Sequence, residues 1–273
     1  MTKNTSRSYA SRRAASLALG PIDLRSGLRD AVRSQGPRPL CVPFSVSTAH
    51  EFTRAIARSA QLDHLAVEPL WRFALGEDLA GEQGTTLVAT AEALKLIGQT
   101  TEQIWPYNQS LGSGTEVAPP EVSSASWQTA KLFRVPLLND GVEHLIEDCL
   151  ASGLPVVLVI EVTTEFEEAD QSGEIAVPAL SSAIGDYHAV TAIGVETNSD
   201  GTRRRLLICN SWGRGWGAGG YGWLPYDYLI AFGGEAGAID PESLVARRNH
   251  ALGTAMAKAG LVTEPLPRAS VGT

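Results

Sequence analysis

The chain has 273 residues, 44% of them hydrophobic and 19% charged, with a formal net charge of −8 at pH 7. This is enough apolar material for a core that needs no disulfides, and the acidic balance argues against nucleic acid as the main partner. No apolar run approaches the roughly 20 residues of a membrane span, and the longest, around 155–160, is strand-sized.

Residues 1–20 carry Lys3, Arg7, Arg12 and Arg13 and no acid, which reads as a basic, disordered tail. A secretory signal is not expected, because no unbroken apolar core of about 7–15 residues follows these charges. The three cysteines, Cys41, Cys149 and Cys209, are too few and odd in number for a disulfide framework. A reducing, cytoplasmic location is therefore expected, with Cys149 and Cys209 buried and inert.

Cys41 opens a helical pattern in which Val42, Phe44, Val46, Ala49, Phe52 and Ile56 form an apolar face. Pro43 suits only the first turn, so Cys41 lies at a helix N-terminus. A second helix is expected over 67–75, ending at Gly76, and a third over 87–97, ending at Gly98. Residues 112–126, rich in Gly, Ser and Pro, read as a loop or crossing. A helix capped by Asp140 and Glu143 ends at Gly153 and carries Leu145, Ile146, Cys149 and Leu150 on its apolar face. Strands follow over 155–162 and 188–195, then a hairpin turn at 198–201 and a return strand over 205–209. A last helix is expected over 240–259, capped by Asp240, with Pro241 in its first turn and Gly260 as its stop. The pattern is α+β: a basic tail (1–20), a helical half with Cys41 (21–125), a β-rich half (126–235) and a C-terminal extension of helix and coil (236–273).

Three residues combine into chemistry. A cysteine at a helix N-terminus sits where partial positive charge favours thiolate, and it still needs a base to be a useful nucleophile. His188 opens an apolar strand, where its ring can face a cleft while the following residues fill the core. Asn210 ends the return strand 22 positions later, and a hairpin brings it beside His188. Its amide oxygen can hold one imidazole nitrogen and leave the other for Cys41, in a pair that can rest as ions. His50, His64, His144 and His250 lack such a context.

The block from Asn210 to Trp223 (Asn210-Ser211-Trp212-Gly213, Trp216-Gly217, Gly220-Tyr221) closely resembles the Asn-Ser-Trp-Gly region of papain-like cysteine peptidases. Gln35-Gly36 ahead of Cys41, Trp105-Pro106-Tyr107 and Asp186-Tyr187-His188-Ala189-Val190 are similar to further blocks of that family, so the resemblance covers roughly 21–229. It implies a papain-like fold with a cleft between the halves. It also implies hydrolysis of peptide bonds by Cys41, His188 and Asn210, with Gln35 and the Cys41 backbone N–H as oxyanion donors. The substrate it implies is a peptide or protein, with no metal, organic cofactor, nucleic acid or membrane. The surroundings of Cys41 depart from the family: Val42-Pro43-Phe44 replaces a tryptophan-containing run, and Arg38-Pro39 stands where a cysteine is common. A catalytically silent binding protein, or an acyl or peptidyl transferase, would keep the same residues. No prosegment is expected ahead of the first block, so access to the cleft is expected to be restrained otherwise, with the C-terminal extension as a docking element for a partner or a second copy.

Overall fold

The computed structural model describes residues 20–28, 30–137, 142–179, 181–182, 184–197 and 204–247. The expected basic tail, the cap at Asp140 and the turn at 198–201 lie outside these residues.

The helices follow their sequence signals. Helix α1 spans Cys41–Arg58, accommodates Pro43 in its first turn and ends at Ser59 in the left-handed conformation. Helix α2 spans Glu68–Gly76. Helix α3 spans Leu87–Leu96, and the Thr86 side chain caps it by accepting from the Ala89 N–H. Gly98 then turns the chain with φ +80, where a side chain would collide with the Gln128 carbonyl. Helix α4 spans Val142–Ala151.

The main sheet holds seven strands: β1 (Ile22–Asp23), β5 (Leu132–Arg134), β6 (Val156–Thr163), β7 (Ile184–Thr197), β8 (Arg204–Cys209), β9 (Tyr221–Pro225) and β10 (Gly233–Ile239). Their order is β5-β10-β6-β7-β8-β9, all antiparallel, with β1 alongside β7 beyond the end of β6. Two pairs lie apart from it: β2 (Ala80–Gly81) with β3 (Gly84–Thr85), and β4 (Trp127–Thr129) with β11 (Val245–Arg247).

Strand alternation sorts the core. Val156, Leu158 and Ile160 of β6 pack with Val190 and Ala192 of β7, with Ile146 and Leu150 of α4, and with Phe166, Trp216 and Tyr228. Val157 and Ala189, on the opposite face, pack with Val42, Val46 and Ala49 of α1 and with Trp105 and Trp127. Because both faces are covered, the middle strands read as nearly continuous apolar runs. Helix α1 is also bonded to the sheet: Ser45 Oγ donates to the Ala189 carbonyl at 2.7 Å, and Thr191 Oγ1 donates to the Ser45 carbonyl at 3.0 Å.

Two expectations are corrected. Asp240 does cap a turn that begins with Pro241, but the turn is a single 3-10 turn, Pro241–Ser243, and Val245–Arg247 pairs with β4 instead of continuing a helix. Leu244 packs against the helical core there, a gain available only to the extended chain. Residues 248–259 lie outside the described part. The sheet also holds β1, beside β7, and β10, beside β6. On α4, Cys149 is half-buried and Leu145 is exposed, so its apolar face is narrower than expected. Cys209 is buried, and all three cysteines are free thiols. No helix among the described residues is long and apolar enough to cross a membrane.

Buried histidines make this core sensitive to acid. His50, fully buried, bonds Gln99 Oε1 through Nδ1 at 3.0 Å, and burial pushes its imidazole down to about 4 from an ordinary 6.5. Burial pushes His188 down to about 4 as well. The unfolded chain therefore binds more protons between these values. The two contributions are complete above pH 6.5 and are lost as pH falls towards 4. His64, raised by its hydrogen bond to Glu51, acts in the opposite sense, with its contribution present at low pH and lost as pH rises. Denaturant unfolding should show stability falling across this window. In His50→Gln the fall should be shallower by up to about 1.4 kcal/mol per pH unit; an unchanged slope would mean that His50 titrates normally.

Candidate active site

The segment that leads to Cys41 is held by a buried cation. Arg38 is fully buried and paired with the equally buried Glu68 at the start of α2. Its Nε donates to the Gly112 carbonyl at 3.0 Å, Nη1 to the Asn108 carbonyl at 2.9 Å and Nη2 to the Gly114 carbonyl at 2.8 Å. The guanidinium lies over the Tyr107 ring, 4.8 Å from its centroid, and Tyr107 OH donates to the Gln35 carbonyl at 2.6 Å. Arg38 thus fastens the 107–114 loop beneath the residues between Gln35 and Cys41.

Gln35 is buried, with its amide fixed at both ends. Nε2 donates one N–H to the Arg38 carbonyl at 2.8 Å, and Oε1 accepts from Ser211 Oγ at 2.7 Å. The Gln35 backbone N–H donates to the Ser211 carbonyl at 2.8 Å, and Ser34 bridges to Trp212. The glutamine of the helical half is thereby laced to the residue that follows Asn210.

His188 is 5% exposed and stands in β7 opposite Ile160. Its Nε2 lies 2.8 Å from Asn210 Oδ1. That oxygen also accepts the Ser211 backbone N–H at 2.8 Å, which fixes the orientation of the amide. Since Oδ1 can only accept, Nε2 carries the proton, and Nδ1 is left with a lone pair. Trp212 lies over the imidazole with ring centroids 4.6 Å apart. Phe166 meets both rings edge-on, and Trp216 packs on Phe166 while its Nε1 donates to the Phe166 carbonyl at 3.0 Å. The aromatic cluster keeps water from the His188–Asn210 bond. Asn210 Nδ2 is buried without a partner. The block turns on Gly217, at φ +55, where a side chain would strike the Tyr221 carbonyl.

Cys41 and His188 line one cavity of about 540 Å³. Its helical wall includes Val42, Leu79 and Leu87, and its sheet wall includes Val159, Tyr187 and Glu235. Asn210 reaches this site through its bond to His188. The substituted run after Cys41 is accommodated: Val42 lines the cavity, and Phe44 is buried with Leu40, Val67 and Trp71.

The electrostatics differ from the ion pair expected of a helix N-terminus. Burial pushes the Cys41 thiol above its ordinary value, against the backbone N–H groups of Ala189, Val42 and Cys41, which pull it down. Burial likewise outweighs the Asn210 hydrogen bond at His188. Burial disfavours the ionised form of both the thiol and the imidazole.

Two features escaped the sequence reading. Arg38 looked like a mere substitution for a missing cysteine, although a lone arginine between two prolines ahead of a helix could have signalled a buried hub. Glu235 carried no local signal. Among the described residues, no group of three His, Cys, Asp or Glu side chains could hold a metal ion.

The antiparallel sheet, the helix that begins at Cys41 and the cavity between them define a papain-like α+β fold. Solved structures agree: xylellain, a cysteine protease from Xylella fastidiosa, superposes with a TM-score of 0.66 at 19% identity, over 83% of this chain and 88% of that one. The bromelain protease from Ananas comosus, solved with the E64 inhibitor, gives 0.61 at 22% identity, over 80% and 97%. The model of the papain family cysteine proteases matches residues 21–229, and the chain belongs to that family. Among curated relatives, the cysteine endopeptidase Rep1 of Oryza sativa subsp. japonica is 28% identical over 72% of this chain. An uncharacterized peptidase C1-like protein of Acanthamoeba polyphaga mimivirus is 35% identical over 34% of it. The matches span 50% and 29% of those two relatives.

The Arg38–Glu68 pair has a measurable signature. Arg38→Met should cost about 3–5 kcal/mol, because it leaves a carboxylate buried alone. Arg38→Met combined with Glu68→Met should cost less than Arg38→Met alone. Equal losses in the single and double variants, read by denaturant unfolding, would show that the pair is not coupled.

Proposed function

We propose that this protein is a cysteine peptidase in which Cys41 is the nucleophile, His188 the proton carrier, Asn210 its orienter and Gln35 an oxyanion donor. The observation that carries this reading is the shared cavity of Cys41 and His188, combined with the commitment of His188 Nε2 to Asn210. With Nε2 occupied, Nδ1 takes the thiol proton as sulfur attacks the peptide carbonyl carbon. The Cys41 backbone N–H and the second N–H of Gln35 Nε2 receive the oxyanion. The imidazolium then protonates the departing amine as the C–N bond breaks, leaving a thioester on Cys41. Water, deprotonated by His188, attacks the thioester, releases the acid and restores the thiol. In this reading His188 acts as a general base during attack, which burial favours by holding its imidazole neutral.

The substrate class is peptide or protein. The three free thiols support a reducing, cytoplasmic setting. Control by a partner or by self-association through the C-terminal extension is assigned to residues beyond Arg247, since those up to Arg247 are engaged with Trp127–Thr129.

Labelling with a peptidyl electrophile and peptide hydrolysis test this together. Label should enter at Cys41 alone, and His188→Ala should slow both reactions by about 10²–10⁴. Gln35→Ala should slow hydrolysis by about 10²–10³ while Cys41 still labels. Rapid labelling that survives in His188→Ala would exclude the dyad. Hydrolysis needs neutral His188, so kcat/KM should be lost as pH falls through about 4. An acid limb near pH 6.5 would place the imidazole in water rather than in the buried site.

A further inference from the structure

Two donors have to converge on one oxygen when sulfur attacks, and they come from different stretches of chain. The Cys41 N–H belongs to the first residue of α1. Gln35 lies ahead of it, on a segment that turns at Gly36 with φ +57. Misplacing a catalytic group by about 1 Å can cost about 10²-fold in rate. The spacing between Gln35 and the start of α1 therefore has to be set by a rigid contact.

Tyr107 touches both. Its OH donates to the Gln35 carbonyl at 2.6 Å. Its ring meets Phe44 of α1, one turn beyond Cys41, edge-on with centroids 4.8 Å apart and planes at 84°. Phe44 is itself buried. The Arg38 guanidinium lies 4.8 Å from the centroid of the same ring, and Glu68 and three backbone carbonyls fix that guanidinium in turn. The chain arrives at Tyr107 from the fully buried Trp105 and leaves it at Asn108, one of those three carbonyls. The ring is thus held by two neighbours and by the chain on either side. Burial pushes the hydroxyl up to about 12 from an ordinary 10, so it stays protonated and donates across the working pH range. The other anchors of Gln35 do a different task. Its N–H and Oε1 bond Ser211, which sets it against the β-rich half. Tyr107 sets it against the helix of the nucleophile.

We propose that Tyr107 is a positioning residue for the oxyanion step, holding Gln35 at a fixed spacing from the helix start at Cys41. This rests on the peptidase reading above and on the part Gln35 takes in it. Tyr107 acts through Gln35, and its hydroxyl is the atom that matters: a phenylalanine keeps both ring contacts and releases the carbonyl.

The test is Tyr107→Phe in the full chain, alone and combined with Gln35→Ala. Titration with a peptidyl electrophile counts competent Cys41, so kcat is expressed per reactive thiol and is independent of the folded fraction. With a peptide substrate, kcat should fall about tenfold in Tyr107→Phe at unchanged KM. Alkylation of Cys41 by iodoacetamide, which forms no oxyanion, should keep its rate. In the Gln35→Ala background, Tyr107→Phe should lower kcat no further, because the group it positions is gone. An unchanged kcat in Tyr107→Phe overturns the inference. A loss that persists in Gln35→Ala, alkylation that slows in parallel, or a variant with no titratable Cys41 also overturns it, by making Tyr107 a general support of the fold. In each of these cases the wild type still cleaves peptides and the peptidase reading stands. A wild type that cleaves no peptide overturns both.

Discussion

The geometry of the site depends on one buried charge pair. Arg38 and Glu68 are both removed from water, an arrangement whose desolvation cost is offset only when the remaining donors are satisfied. Here three backbone carbonyls of the 108–114 loop satisfy them. The pair joins three stretches of chain: the approach to Cys41, the start of α2 and the loop that leaves the helical half. Gln35 is positioned as a by-product, since Tyr107 holds its carbonyl and the Arg38 carbonyl holds its side chain.

The second constraint is the seam between α1 and the sheet. Ser45 and Thr191 bind it on one side of the site, and Gln35 and Ser211 on the other. Between these seams the thiol and the imidazole are kept in an apolar setting that favours neither ion alone. Low-polarity surroundings of this kind weaken isolated ions and strengthen hydrogen bonds to any charge that is paired.

Much of this was legible in the sequence because it is encoded locally. Pro43 placed Cys41 at a helix start, strand alternation placed His188 at a cleft edge, and the Asn210–Trp223 block carried both the hydrogen-bond partner of His188 and its aromatic cover. The elements that were not legible are set by distant partners. Whether 240–247 continues as helix or lies down as a strand is decided by the open edge of β4, over a hundred residues earlier. The hub role of Arg38 comes from carbonyls more than seventy positions away. The pairing of Glu235 with Val159 turns on a register shift between Gly233 and Glu235 that no local pattern states. The burial of the thiol also escaped, because a helix start is visible in sequence and desolvation is a property of the assembled interior.

The separation of the seam residues along the chain has a temporal consequence. Ser45 meets Ala189 across 144 positions, and Gln35 meets Ser211 across 176. Contacts of such range form late, after shorter loops have closed. An emerging or partly collapsed chain therefore holds a thiol and an imidazole that have not yet met, and it carries no competent nucleophile. Completion of the fold and assembly of the cavity that holds both groups are therefore one event.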